Sequence, residues 1–226
     1  LKEQGSKMKR LPLSLLVLCG GVAVAAAAAQ NLAGQKRPSK IVAFGTSLTA
    51  RGGWQGPLAE RLSSCLGWSV VVDTVAKSGA PSSWGLGHVD DVIRLKPDVV
   101  LVEFYANDAA LNRFTSVSTS NDTIGALFSS LRHGLPNARI IAQIMNPVSG
   151  LAGMARPYFD LYIDAHLRQA RANGVDIIDH RKRWMSLSGN QLAKAIPDGL
   201  HPTPEAATSV IVEPLAAKIG GEACSS

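Results

Sequence analysis

The chain has 226 residues, 46% of them hydrophobic and 18% charged, which suits one globular domain with a full core and excludes a disordered or fibrous protein. Its formal net charge is +6, and it falls to +3 when Lys2, Glu3, Lys7, Lys9 and Arg10 of the first 29 residues are set aside. With so small a charge and no basic stripe interleaved with aromatics, nucleic acid is excluded as a partner.

The first 29 residues stand apart. Met8-Lys9-Arg10 is basic, Leu11 to Val24 is almost wholly apolar, and Ala25 to Ala29 supplies small residues before Gln30. That order is the pattern of a secretory signal peptide, and it predicts a periplasmic or secreted protein with no stable membrane association after cleavage. An uncleaved anchor over Leu11 to Ala29 is the alternative, against which Pro12, Ser14 and Gly20-Gly21 weigh. Residues 1–7 precede a start at Met8. Residues 1–29 are therefore read as an extension plus signal segment, and residues 30–226 as a single domain. Cys19 lies inside the signal segment and lacks the small preceding residue of a lipid-modified cysteine.

After a polar leader, Ile41–Phe44 reads as the first strand. Trp54–Leu66 carries Leu58, Leu62, Cys65 and Leu66 at helical spacing and stops at Gly67. The valine-rich stretch Ser69–Val75 predicts a second strand. Val89, Val92, Ile93 and Leu95 mark a helix closed by Lys96-Pro97, and Val99–Phe104 is a third strand. Arg113–Ser120 reads as a polar loop before a helix over Asp122–Arg132. Arg139–Met145 is the fourth strand, Tyr158–Asn173 a helix, Val175–Asp179 the fifth strand and Pro204–Ile219 the last helix. Strands alternating with helices predict an α/β fold, a three-layer α/β/α sandwich around a parallel five-stranded sheet. In such sheets ligands bind beyond the carboxyl ends of the strands, where Ser47, Gly79 and Asn107 all fall.

Ser47 sits on a glycine turn directly after the first strand, and Asp198 precedes His201 by three residues. A serine so presented, with a histidine to take its proton and an aspartate to fix the tautomer, is the constellation of a serine hydrolase. Taken singly, Ser47 would be a helix cap, Asn107-Asp108 a turn, Gly79 a loop glycine and Asp198 and His201 caps of the last helix. Four blocks in order make that combination improbable. The blocks are Gly45-Thr46-Ser47-Leu48, Lys77-Ser78-Gly79-Ala80, Tyr105-Ala106-Asn107-Asp108 and Asp198-Gly199-Leu200-His201. With them, residues 40–220 resemble the SGNH hydrolases, the GDSL esterase and lipase superfamily, and are similar to its small periplasmic thioesterase, lysophospholipase and arylesterase branch.

The resemblance implies a flavodoxin-like fold, no cofactor and no metal. It also implies Ser47 as nucleophile, His201 as base, Asp198 as its partner, and an oxyanion hole from Ser47, Gly79 and Asn107. Asp108 is read as a brace for local loops. Two residues depart from the pattern. Thr46 stands for the aspartate of the first block, with a change in local bracing expected, and Tyr105 for the glycine of the third, with a narrower acyl pocket expected. Trp84 and Met154 are further candidates for the substrate border. The loop Asn146–Pro157 is a candidate rim, Glu103 has no assigned partner, and Arg181-Lys182-Arg183 reads as a solvated loop. His88, His133, His166 and His180 have no ligand spacing and read as surface or satisfied residues.

In this fold class the first and last helices share a face, which brings Cys65 and Cys224 together as a candidate disulfide. The function expected is hydrolysis of short-chain acyl or acetyl esters of small molecules or glycans through an acyl-serine. The alternatives are a thioesterase or lysophospholipase on longer chains, a polysaccharide O-acetyl esterase or acyltransferase, and a non-catalytic binding protein on the same fold.

Overall fold

Five segments form the sheet of the computed structural model, which describes residues 37–225; residues 1–29, read as an extension and signal peptide, lie outside the described residues. They are β1 (Lys40–Gly45), β2 (Val71–Ala76), β3 (Val99–Glu103), β4 (Arg139–Ile144) and β5 (Asp176–Asp179). All are parallel, in the order β2-β1-β3-β4-β5. The runs in β1, β3 and β4 are nearly continuous in hydrophobicity because both sheet faces are covered. Alternate residues serve opposite faces. Ile41, Ala43, Val99, Leu101 and Ile141 enter one core, and Val42, Phe44, Val100, Val102, Ile140 and Ala142 the other.

The helices, in chain order, are α1 (Ser47–Ala50), α2 (Gln55–Leu66), α3 (Ser82–Leu86), α4 (Val89–Arg94), α5 (Tyr105–Asp108) and α6 (Val117–Gly134). They continue with α7 (Gly150–Met154), α8 (Phe159–Ala172), α9 (Arg181–Trp184), α10 (Gly189–Ala195) and α11 (Pro204–Gly220). Helices α2 and α11 pack together over the first core with Leu58, Leu62, Ile211 and Leu215. Helix α6 covers the second with Ile124, Leu127, Phe128 and Leu131, flanked by α3 and α8. Helix α11 starts on Thr203, whose hydroxyl accepts from the Ala206 amide at 3.2 Å, with Pro204 in its first turn.

Helix α6 begins five residues before the Asp122 start that the apolar spacing predicts. Ser116 caps it, accepting from the Thr119 amide at 3.0 Å, and its first turn is polar, so hydrophobic spacing is silent there. Short helices α1, α3, α5 and α7 lie in segments read as turns or loops, and α9 covers the cationic run. Arg181 of that run is paired with Asp179 and Asp160.

Cys65, in the last turn of α2, is bonded to Cys224 in the 3-10 turn after α11, with the Cα atoms 5.2 Å apart. Closing a loop across 159 residues contributes about 5 kcal/mol in the chain-entropy model. The strand order reverses between β1 and β3, so the connections leaving those neighbouring strands diverge and open a crevice at their carboxyl ends.

Candidate active site

Ser47 stands two residues beyond the end of β1, at the mouth of that crevice. Glu103 is paired in register with Gly45, and its carboxylate lies under the turn, so a side chain at position 45 would overlap it. The carboxylate accepts from the Thr46 amide at 2.6 Å, the Thr46 hydroxyl at 3.0 Å and the Thr49 hydroxyl at 2.8 Å. Complete burial pushes the Glu103 carboxyl up to about 7, against these donors, which pull it down. The Thr46 oxygen also accepts from the Leu48 amide and so caps α1. The departure at Thr46 thus has a physical counterpart: the carboxylate bracing this turn comes from β3.

The Ser47 Oγ lies 2.8 Å from Nε2 of His201, and His201 Nδ1 lies 2.7 Å from Oδ2 of Asp198. Asp198 Oδ1 accepts from the amides of His201 and Leu200 at 2.7 and 2.9 Å. Partial burial raises the Asp198 carboxyl, but these amides and the imidazole outweigh it and hold the group down at about 2. An ionised Asp198 requires the proton on Nδ1, which leaves the Nε2 lone pair facing Ser47. The Arg51 guanidinium donates to the same Nε2 at 2.8 Å.

The backbone N–H groups of Ser47 and Gly79 have no acceptor among the described residues. Gly79 has φ +78°, a conformation that favours glycine. The Asn107 side-chain amide gives one N–H to the Ala80 carbonyl at 3.0 Å, which fixes its plane and leaves its second N–H unused. Behind Asn107, Asp108 accepts from the Ser82 amide at 2.7 Å and the Ser120 hydroxyl at 2.6 Å, and lies 3.2 Å from His166 Nε2. This buried network ties α3, α5, α6 and α8 together and holds the turn that carries Asn107. Burial raises the Asp108 carboxyl, yet His166 and the donors of Ser120 and Ser82 outweigh it and bring it below its ordinary value.

A cavity of about 180 Å³ is lined by the polar residues Ser47, Arg51, Asn146 and His201 and by the apolar residues Leu48, Met145, Ala207 and Ile211. Three candidates for the substrate border do not line it. Tyr105 is wholly buried, its hydroxyl accepting from the Met145 amide at 2.8 Å and its ring against Phe159, so it props β4 from within the core. It does not narrow the pocket. Trp84 stacks on His88 with centroids 4.0 Å apart beside Phe44 and Phe104, and Met154 projects from α7 into solvent. The segment 146–157 is tied down: the Ser149 amide donates to Gly199, Asn146 to Leu200, and Arg156 to Ala106 at 2.7 Å.

Of the histidines, His166 is paired and His88 donates to the Trp84 carbonyl. His180 corrects the expectation of a surface or satisfied residue, because it is buried with neither ring nitrogen bonded, and burial lowers it to about 4. The residues that sequence reasoning passed over are Arg51, Arg113, Arg156 and Asn146. Arg51 carried a usable signal: at four residues after Ser47 it falls on the same side of a helical turn. Arg113 comes from the connection after α5, and Asn146 and Arg156 from the segment after β4, placements that spacing along one segment does not reveal.

Residues 43–208 match the model of the GDSL-like lipase/acylhydrolase family. A search of curated proteins found no match. Among solved structures, the chain is similar to the lipase/acylhydrolase from Enterococcus faecalis, with 23% identity, TM-score 0.67, and 80% of this chain and 96% of that one covered. An α/β hydrolase enzyme from the metagenome of Lake Arreo, Spain, gives 19%, TM-score 0.70, and 83% and 96%. An acetylxylan esterase from Geobacillus stearothermophilus gives 18%, TM-score 0.69, and 83% and 98%. These structures share its fold, and with the match over residues 43–208 the chain belongs to the GDSL-like lipase/acylhydrolase family.

Proposed function

We propose that the chain is a serine-dependent carboxylic-ester hydrolase that acts on short acyl groups. The observation that carries this reading is the continuous line from Asp198 through His201 to Ser47, with both contacts at hydrogen-bond distance. Ser47 Oγ attacks the ester carbonyl carbon as His201 Nε2 takes its proton, and Asp198 stabilises the imidazolium that forms. The negative charge on the former carbonyl oxygen is met by the Ser47 and Gly79 amides and the Asn107 side chain. His201 returns the proton to the departing alcohol, leaving an acyl-serine. Water, deprotonated by the same imidazole, then releases the carboxylic acid and regenerates Ser47.

The small cavity supports a short acyl group, since about 180 Å³ is below the roughly 300–1,000 Å³ of drug-sized sites. An acetyl ester on a sugar hydroxyl fits the same chemistry, as the similarity to an acetylxylan esterase favours. Export is proposed with it: the order of residues 8–29 and the Cys65–Cys224 bond both suit an oxidising compartment. Acid quenching during turnover of a 4-nitrophenyl acyl ester, followed by peptide mass analysis, tests the mechanism. One acyl group on the peptide containing Ser47 is expected; an unmodified Ser47 during steady turnover contradicts it.

A further inference from the structure

Three guanidinium groups from three different connections surround the site, and none meets a carboxylate among the described residues. Arg51, just after α1, is exposed, lines the cavity, and makes its side-chain contact to His201 Nε2. Arg113, in the 3-10 turn after α5, is exposed and lies over Gly79 so closely that a side chain there would strike its guanidinium. Arg156, after α7, is buried and bonds only the carbonyls of Ala106 and Ala152. Burial, the charge of Arg113 and, in opposition, that of Asp198 all act on Arg156, which puts these groups in one electrostatic neighbourhood. The carboxylates nearby are spent: Asp198 on His201, Asp108 on His166 and Ser120, and Glu103 beneath the Ser47 turn. The mouth of the site therefore carries unbalanced positive charge.

The placement of Arg51 has a chemical consequence. Its N–H competes with the Ser47 hydroxyl, also at 2.8 Å, for the one Nε2 lone pair that must receive the Ser47 proton. Once protonated, Nε2 faces a second donor, so Arg51 has to turn away for the reaction to proceed. An anion in the cavity gives its guanidinium a better acceptor than a neutral imidazole nitrogen. We propose that the site takes esters bearing an anionic group, a carboxylate or a phosphate, close to the scissile carbonyl, and that Arg51, with Arg113 beside it, holds that group while His201 is released to act. This rests on the serine-hydrolase reading above and specifies its substrate class.

The test compares matched esters in two arms, on the chain without residues 1–29. On the acyl side, the 4-nitrophenyl monoester of glutarate is set against 4-nitrophenyl valerate. On the alcohol side, 3-acetoxybenzoate is set against 3-acetoxybenzamide. The expected result is a kcat/KM about tenfold or more higher for the charged member of one pair, expressed mainly in KM and shrinking with added salt. The arm that shows the preference tells which side of the ester carries the charge. In Arg51→Gln the preference collapses, while kcat on the neutral ester rises about twofold or more because the guanidinium no longer competes for Nε2. Arg51→Lys retains part of the preference. Thermal melting verifies that each variant is folded, and titration of glutarate and of inorganic phosphate into Ser47→Ala gives a readout independent of turnover.

Equal or poorer use of the charged ester in both arms overturns the proposal, as does a preference that survives in Arg51→Gln. If neutral esters are hydrolysed through Ser47 without any charge preference, the anionic-substrate proposal fails and the esterase reading stands. If Ser47→Ala turns over every ester as fast as the parent chain, the esterase reading fails, and this proposal with it.

Discussion

At Ser47 the proposed hydrolysis depends on one oxygen, and its removal has an effect of definite size. Ser47→Ala is expected to lose more than about 10⁴-fold in kcat with its fold intact, and stopped assays on 4-nitrophenyl acetate measure it. Asn107→Ala removes one of the three proposed oxyanion donors and is expected to lower kcat about 10²–10³-fold while KM changes little. A fall in KM affinity with kcat preserved would instead make Asn107 a ground-state binding group. Glu103 acts through the turn it braces. Glu103→Ala deprives the Thr46 amide and two hydroxyls of their acceptor, so it is expected to lower both stability and kcat. Glu103→Gln keeps a carbonyl acceptor and is expected to retain most activity.

Among the elements, α2 and α11 carry the clearest structural prediction. A Cys65→Ser, Cys224→Ser double variant is expected to lose about 2–5 kcal/mol of stability, read from urea unfolding, with turnover by folded protein kept. The elements also show where the sequence was legible. Strands β1, β3 and β4 and helices α2 and α11 bury long apolar patterns, so hydrophobic spacing located them to within a residue or two. The first turn of helix α6 is silent to hydrophobic spacing because it is held by Ser116 and by the Ser120–Asp108–His166 network, which are polar. Ser47, Asp198 and His201 stood in local motifs, so their encounter followed from the topology. Tyr105 departs from the expected pocket wall because its motif position belongs to the site while its ring belongs to the core: a residue's place in a motif does not fix where its side chain points.

For the whole molecule, two buried groups with opposing titrations shape the dependence of stability on pH. Glu103 holds its proton up to about 7 when folded but ionises near 4.5 when unfolded, so its contribution falls as pH rises through that window. His180 resists protonation down to about 4 when folded but accepts a proton near 6.5 when unfolded, so its contribution falls as pH drops. The two slopes oppose each other between about 4.5 and 6.5. Glu103→Gln is expected to make stability rise more steeply with pH across that range, and His180→Phe to make it fall; wild-type slopes in both variants would contradict this. Asp198, at about 2, stays ionised throughout.

Hydrolysis of 4-nitrophenyl esters from acetyl to dodecanoyl, by the chain without residues 1–29 and by its Ser47→Ala variant, tests the central claim most directly. A kcat/KM that falls steeply with acyl length and disappears in Ser47→Ala is the expected result. A maximum at long chains would contradict the short-acyl site, and turnover that persists in Ser47→Ala would contradict the serine mechanism itself.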